Sequence, residues 1–210
     1  MFWKKLLLLG LFSALLTAAS PFGFSKKELF DIHVKYSNIS LNRINEFNQK
    51  LEQFKTFSKS KQLLHVNNYL NTFLPQYDAV IDKQEEHYKT PKEFLSIGYG
   101  DCEDYVIIKY FTLVELGFNA KKLFFAPVLE RYSGYHHMVL LYYADVSTPP
   151  LVLDNLSFRI LHVNERIDLK PFECYNTTGY YKIDSNGKKV KIKKRNKLFE
   201  SLLKRIKLGQ

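Results

Sequence analysis

Cysteine is scarce in this chain: Cys102 and Cys174 are the only two among 210 residues. At most one disulfide can form, and an even count in an exported protein invites one. Two features stand against the bridge. A composition that is 46% hydrophobic needs no single staple, and Cys102 lies inside a carboxylate-rich motif. Cys174, between Glu173 and Tyr175, is expected to be a partly buried free thiol in a strand. A long apolar run is also missing. The longest, Leu6 to Leu16, is shorter than the roughly 20 residues of a spanning helix. No repeat and no low-complexity linker divides the chain, so its length fits one globular domain, with room for a small helical lobe. Tryptophan is confined to Trp3.

The first residues form a leader. Met1-Phe2-Trp3-Lys4-Lys5 is positive, Leu6 to Leu16 is apolar, and Thr17-Ala18-Ala19-Ser20 is small. That is the pattern of a secretory signal peptide, here residues 1–19. Cleavage is expected after Ala19, because a cut after Ser20 would leave Pro21 beside the scissile bond. Export places the protein in the periplasm of a Gram-negative cell. The domain proper then spans 20–187.

Net positive charge is absent from that domain. Of a net charge of +10, residues 188–210 carry ten Lys or Arg against one Glu, and Lys4 and Lys5 carry two more. Residues 21–187 are left at −1. A basic body that binds nucleic acid is therefore excluded, and an exported protein meets none. Lys188 to Arg195 alternates in part with apolar residues, as an edge strand with a charged face does. Asn196 to Leu208 reads as an amphipathic helix with Leu198, Leu202 and Ile206 on one side. The segment 188–210 is expected to be a solvated tail, with weak contact to anionic membrane as the alternative.

Leu29 to Leu74 contains no Gly or Pro, and Leu41, Ile44, Phe47, Leu51 and Phe54 recur at helical spacing. Leu63, Val66, Tyr69, Leu70 and Phe73 repeat the pattern up to Pro75. Thr90-Pro91-Lys92-Glu93 carries the N-cap, first-turn proline and acidic third position of a short helix. Cys102 to Leu116 reads as a helix closed by Gly117. Lys122 to Leu129, His137 to Ala144, Leu151 to Leu153 and Ile160 to Val163 read as strands. Helices first and an antiparallel sheet afterwards make the fold class α+β.

Chemistry concentrates in Gly98-Tyr99-Gly100-Asp101-Cys102-Glu103-Asp104. A thiol attacks as thiolate, which a helix N-terminus favours. An imidazole must hold the proton, and a carboxylate must orient that imidazole. His137 and Asp154 are the candidates, although His136 adjoins His137 and a strand turns the two to opposite faces. A symmetric hairpin about Thr148 places Asp154 opposite Leu141, several residues from His137. Asp101, Glu103 and Asp104 would each disfavour a thiolate unless neutralised. Spacing favours Asp101 as an N-cap with Asp104 completing a box. The alternative is a Ca²⁺ ion held by Asp101 and Glu103.

These residues resemble a known family. Thr90-Pro91-Lys92-Glu93-Phe94-Leu95, Gly98 to Tyr105, His137-Met138-Val139-Leu140 and Leu151-Val152-Leu153-Asp154-Asn155-Leu156 are similar to motifs of the bacterial transglutaminase-like cysteine proteinases, the LapG-type periplasmic adhesin proteases. The match runs from about Phe73 to Tyr175. It implies a papain-like, transglutaminase-like core with Cys102, His137 and Asp154 as the triad, and it selects His137 because the family histidine precedes the Met-Val-Leu run.

The resemblance further implies calcium at Asp101 and Glu103, and a large surface adhesin as substrate. Cleavage falls near the adhesin's N-terminal retention region, typically at paired alanines, and releases cells from a biofilm. An inner-membrane receptor that senses cyclic di-GMP sequesters such proteases through an exposed Trp. One departure stands out: Tyr88 occupies a position where the family commonly has Trp. The alternatives to a protease are a transglutaminase-type acyltransferase with the same triad and a catalytically inert binding module.

Overall fold

The long Gly- and Pro-free run folds as two helices that lie over one face of a sheet. A computed structural model describes residues 20–76, 87–145 and 147–209; the leader 1–19 and its cleavage point lie outside the described residues. Helix α1 spans Lys26–Lys55 and opens on a Ser25–Glu28 capping box. Ser37, at φ 71°, interrupts it, and beyond that break Ile44, Phe47, Leu51 and Phe54 are buried as their spacing predicts. Helix α2, Lys59–Leu70, buries Leu63, Val66 and Leu70. A short strand β1, Leu74–Pro75, follows.

Helix α3, Pro91–Ile97, starts on the predicted box of Thr90 and Glu93 and ends at Gly98, whose φ of 90° is the left-handed conformation that suits glycine. Strand β2, Tyr99–Gly100, pairs with β1 in parallel. It leads directly into helix α4, Cys102–Glu115. Every residue of α4 from Asp104 to Leu113 is buried, so this is the central helix of the domain.

Eight strands form the sheet. They are β3 (Leu123–Glu130), β4 (His136–Tyr142), β5 (Leu151–Asp154), β6 (Ser157–His162), β7 (Leu169–Pro171), β8 (Glu173–Asn176), β9 (Gly179–Ile183) and β10 (Lys189–Ile192). Their order is β10-β9-β8-β3-β4-β5-β6, with β7 pairing beside β3, and every pair in this sheet is antiparallel. The α+β class holds.

The sheet is buried on both faces. Leu123 and Phe125, with Leu140 and Leu153, pack toward the helices. Phe124, Ala126 and Val128 join Val139, Leu141 and Val152 in a second core. Burial on both faces explains why Leu123 to Ala126 reads as a continuous apolar run rather than an alternating one.

Four expectations need correction. Strand β6 starts at Ser157, not Ile160, because the Asp154–Ser157 turn is tight enough to carry the pairing through polar residues. Leu141 pairs with Val152 rather than with Asp154. The β4–β5 register, Leu140 with Leu153 and Leu141 with Val152, carries Asp154 on to the level of Val139, two residues from His137.

The third concerns residues 188–210, which do not form a solvated tail. Strand β10 is indeed an edge strand, paired with β9. Helix α5, Lys197–Lys207, buries Phe199 and Leu202. The Phe199 ring lies 4.8 Å from Phe125 and 5.4 Å from Tyr175, centroid to centroid. Arg205 fastens the same helix to the Tyr88 carbonyl and to Glu93, the latter at 2.8 Å. Cys102 and Cys174 are both free thiols, and Cys174 is fully buried rather than partly so.

Candidate active site

Cys102 is the first helical residue of α4, after Asp101 at the N-cap. Gly100 makes this entry possible: a Cβ there would lie 2.6 Å from Asp104 Oδ2 and 2.7 Å from Asp104 Cβ. Asp104 is wholly buried beneath the turn. It accepts from the Asp101 backbone N–H at 3.4 Å and from the Lys89 backbone N–H at 2.8 Å, and it pairs with Lys89 Nζ at 2.6 Å. Burial pushes its carboxyl up to about 6, against the opposing pull of Lys89. Asp104 therefore serves the helix start as the spacing predicts, and Lys89 is a partner that the spacing did not reveal.

His136 is exposed, whereas His137 is buried. His137 Nε2 lies 2.8 Å from Asp154 Oδ1. Because Nε2 is engaged by the carboxylate, Nδ1 is the ring nitrogen left for a proton from the thiol. Asp154 is 1% exposed. Burial alone would raise its pKa, but the His137 bond and charge, the Leu156 backbone N–H at 2.9 Å and Arg166 hold it well below the usual carboxylate range. Arg166 donates to Asp154 Oδ2 at 2.8 Å and grips Asp168 with two nitrogens. No local sequence signal marks Arg166; only the β5–β6 register brings it to the carboxylate.

The thiol lies against the start of β4. The backbone of Met138, which directly follows His137, lies near enough to favour the Cys102 thiolate. The thiol proton itself goes to Glu103 Oε2 at 3.3 Å, not to His137. Burial first, then the Glu103 and Asp101 charges, push the Cys102 pKa far above its ordinary value, with the Met138 backbone opposing. This arrangement keeps the sulfur protonated.

Asp101 and Glu103 flank Cys102 and are both half-buried. They are oxygen donors of the kind a hard cation takes, and the helix N-terminus beside them repels a cation, so only their charge can hold one. Among the described residues no cluster of three or more His, Cys, Asp or Glu gathers for a metal. The pair fits part of a calcium shell, with backbone carbonyls and water needed for the rest.

The model of the bacterial transglutaminase-like cysteine proteinases, BTLCP, matches residues 33–168, a span holding Cys102, His137, Asp154 and Arg166. The chain belongs to this family. Three solved structures of Legionella pneumophila LapG are similar to it. The calcium-bound form is 29% identical, covers 87% of this chain and 99% of its own, and superposes with a TM-score of 0.73. The EGTA-treated form is 30% identical over 87% of this chain and 98% of its own, with a TM-score of 0.72. A third gives 29%, 87%, 98% and 0.70. Comparison with curated proteins gives no match. Family membership makes the cysteine-proteinase class plain, and helices followed by an antiparallel sheet are the fold of this family's LapG structures. Strands β7 to β10 and helix α5 lie beyond the family-model match.

Proposed function

We propose that this protein is a calcium-dependent cysteine endopeptidase of the periplasm that cuts a large surface adhesin near its N-terminal retention region and so frees cells from a biofilm. The observation that carries the proteolytic reading is the pairing of His137 with Asp154 at 2.8 Å, with the backbone of the next residue, Met138, favouring the Cys102 thiolate. The rest follows from the family and from the LapG forms. One LapG structure is calcium-bound, and Asp101 and Glu103 offer the chemistry such an ion takes. No helix among the described residues is long and apolar enough to cross a membrane, which is compatible with export behind the leader 1–19.

In this reading Cys102 gives its proton to His137 Nδ1 and attacks the scissile carbonyl. The Cys102 backbone N–H at the start of α4 receives the developing oxyanion. His137, oriented by Asp154, returns the proton to the leaving amine, and a water activated by the same imidazole then hydrolyses the thioester. Bound at Asp101 and Glu103, calcium would supply positive charge that offsets the carboxylates now holding the thiol protonated.

Sequestration by a cyclic di-GMP receptor rests on the resemblance. Tyr88, which stands at the family's Trp position, is buried with its hydroxyl 3.2 Å from that of Tyr175. It offers such a receptor no exposed ring.

The deciding experiment incubates the protein, processed after Ala19, with the N-terminal region of a large adhesin from the same genome. Products are followed by mass spectrometry, with calcium or EGTA, for wild type and Cys102→Ala. One discrete cut that needs both calcium and Cys102 is expected. No cut in any arm, with Cys102 also inert to iodoacetamide, would leave only a transglutaminase-like binding module. Incorporation of a labelled primary amine would instead reveal an acyltransferase.

A further inference from the structure

Lys109 is fully buried in α4, two helical turns beyond Cys102. A cation in a protein core ordinarily pairs with a carboxylate. Here Nζ donates to a neutral amide, Asn67 Oδ1, at 2.8 Å. Asp154 is the carboxylate whose charge it feels. Burial, opposed in part by the Asp154 charge, lowers the Lys109 pKa to about 7. An apolar side chain of similar length would fill the same space at less cost.

What the lysine does is orient Asn67. With Oδ1 turned to the ammonium, Asn67 Nδ2 donates to the Ser157 carbonyl at 2.9 Å. The flipped amide would set NH₂ against NH₃⁺ and oxygen against oxygen, so only one orientation satisfies both neighbours. Asn71, one turn further along α2, donates from Nδ2 to the Asp154 carbonyl at 2.8 Å and to the Ser157 carbonyl at 3.0 Å. Both ends of the Asp154–Ser157 turn are therefore tied to α2 by side-chain amides. Lys109 ties α2 in turn to the helix that carries Cys102.

We infer that Lys109, Asn67 and Asn71 are positioning residues, a clamp that holds the Asp154–Ser157 turn so that the Asp154 carboxylate meets His137. The consequence for turnover rests on the proteolytic reading above; the clamp itself does not. Its effect would be on the chemical step, because none of the three side chains reaches the thiol and a displacement near 1 Å costs on the order of 100-fold in rate.

The test compares wild type with Lys109→Met and Asn71→Ala in the processed protein. Two quantities are read: the downfield NMR signal of the His137 Nε2 proton shared with Asp154, and kcat and KM for the adhesin segment that wild type cuts. In both variants we expect the His137 signal to shift or broaden. We expect kcat to fall about 10- to 100-fold with KM nearly unchanged. Should Lys109→Met fail to fold, Asn71→Ala decides alone, since Asn71 is half-buried at the C-cap of α2. A folded Asn71→Ala with the wild-type His137 signal and wild-type kcat overturns the clamp. If wild type cuts nothing, the proteolytic reading fails while the His137 signal still tests the clamp: a changed signal supports it and an unchanged one overturns it.

Discussion

Arg166 joins two carboxylates, donating from one terminal nitrogen to Asp154 at 2.8 Å and to Asp168 at 2.6 Å. The Asp154 carboxylate thus stands between an imidazole on one oxygen and a guanidinium on the other. Both bonds favour its ionised state.

Removing the guanidinium should reach both stability and the pH profile. Arg166→Met leaves a buried carboxylate short of a donor, a loss of about 3 kcal/mol in urea denaturation. Asp154 now sits below its unfolded pKa of ~3.9, so its stabilisation is present above that value and is lost as pH falls beneath it. In the variant that loss should begin at a higher pH, and the acid limb of kcat/KM should move up with it. A pH–rate profile identical to wild type would show that Arg166 does not hold Asp154 ionised.

The thiol should be slow to alkylate at neutral pH without calcium, because burial, Glu103 and Asp101 favour its protonated form. Glu103→Gln removes one charge and replaces the carboxylate acceptor of the thiol proton with a weaker, neutral one. Iodoacetamide modification at Cys102, followed by mass spectrometry, should then be several-fold faster. Calcium should speed the wild-type reaction and leave the variant nearly unaffected.

Helix α5 should be needed for folding. Leu202 is fully buried, and truncation to Ala should cost about 2–5 kcal/mol. Deleting residues 188–210 should remove the cooperative thermal transition. A deletion that melts like wild type would mean that α5 merely rests on the body.

Lys109 should also mark the stability curve. Its folded pKa, about 7, lies below the unfolded value near 10.4. The unfolded chain therefore holds the proton more tightly, and stability should climb as pH rises from about 7 toward about 10. Lys109→Met should lack that climb and be the more stable protein at neutral pH while turning over more slowly. Parallel denaturation curves across this window check both signs.

What the sequence revealed follows the range of the interactions involved. Thr90-Pro91-Lys92-Glu93 and Gly98 to Asp104 act over one or two turns, so their caps, their glycines and the place of Cys102 could be read directly. His137 was separable from His136 only through the family, since burial depends on which face of β4 meets the core. The approach of Asp154 depends on the β4–β5 register, which no residue type announces. Arg166 and Lys109 lie far along the chain from the groups they serve and carry no local mark. The segment 188–210 misled because ten basic residues outweigh the two side chains, Phe199 and Leu202, that seat its helix.

Arg205 grips the Tyr88 carbonyl, and the next residue, Lys89, pairs with Asp104 beneath the turn that carries Cys102. Cys102, His137 and Asp154 all precede α5 in the chain. A polypeptide that has not yet delivered residues 197–207 holds Cys102, His137 and Asp154 but lacks the brace behind them. In the proposed protease, competence to cut would be tied to the arrival of that helix, a form of timing written into the order of synthesis.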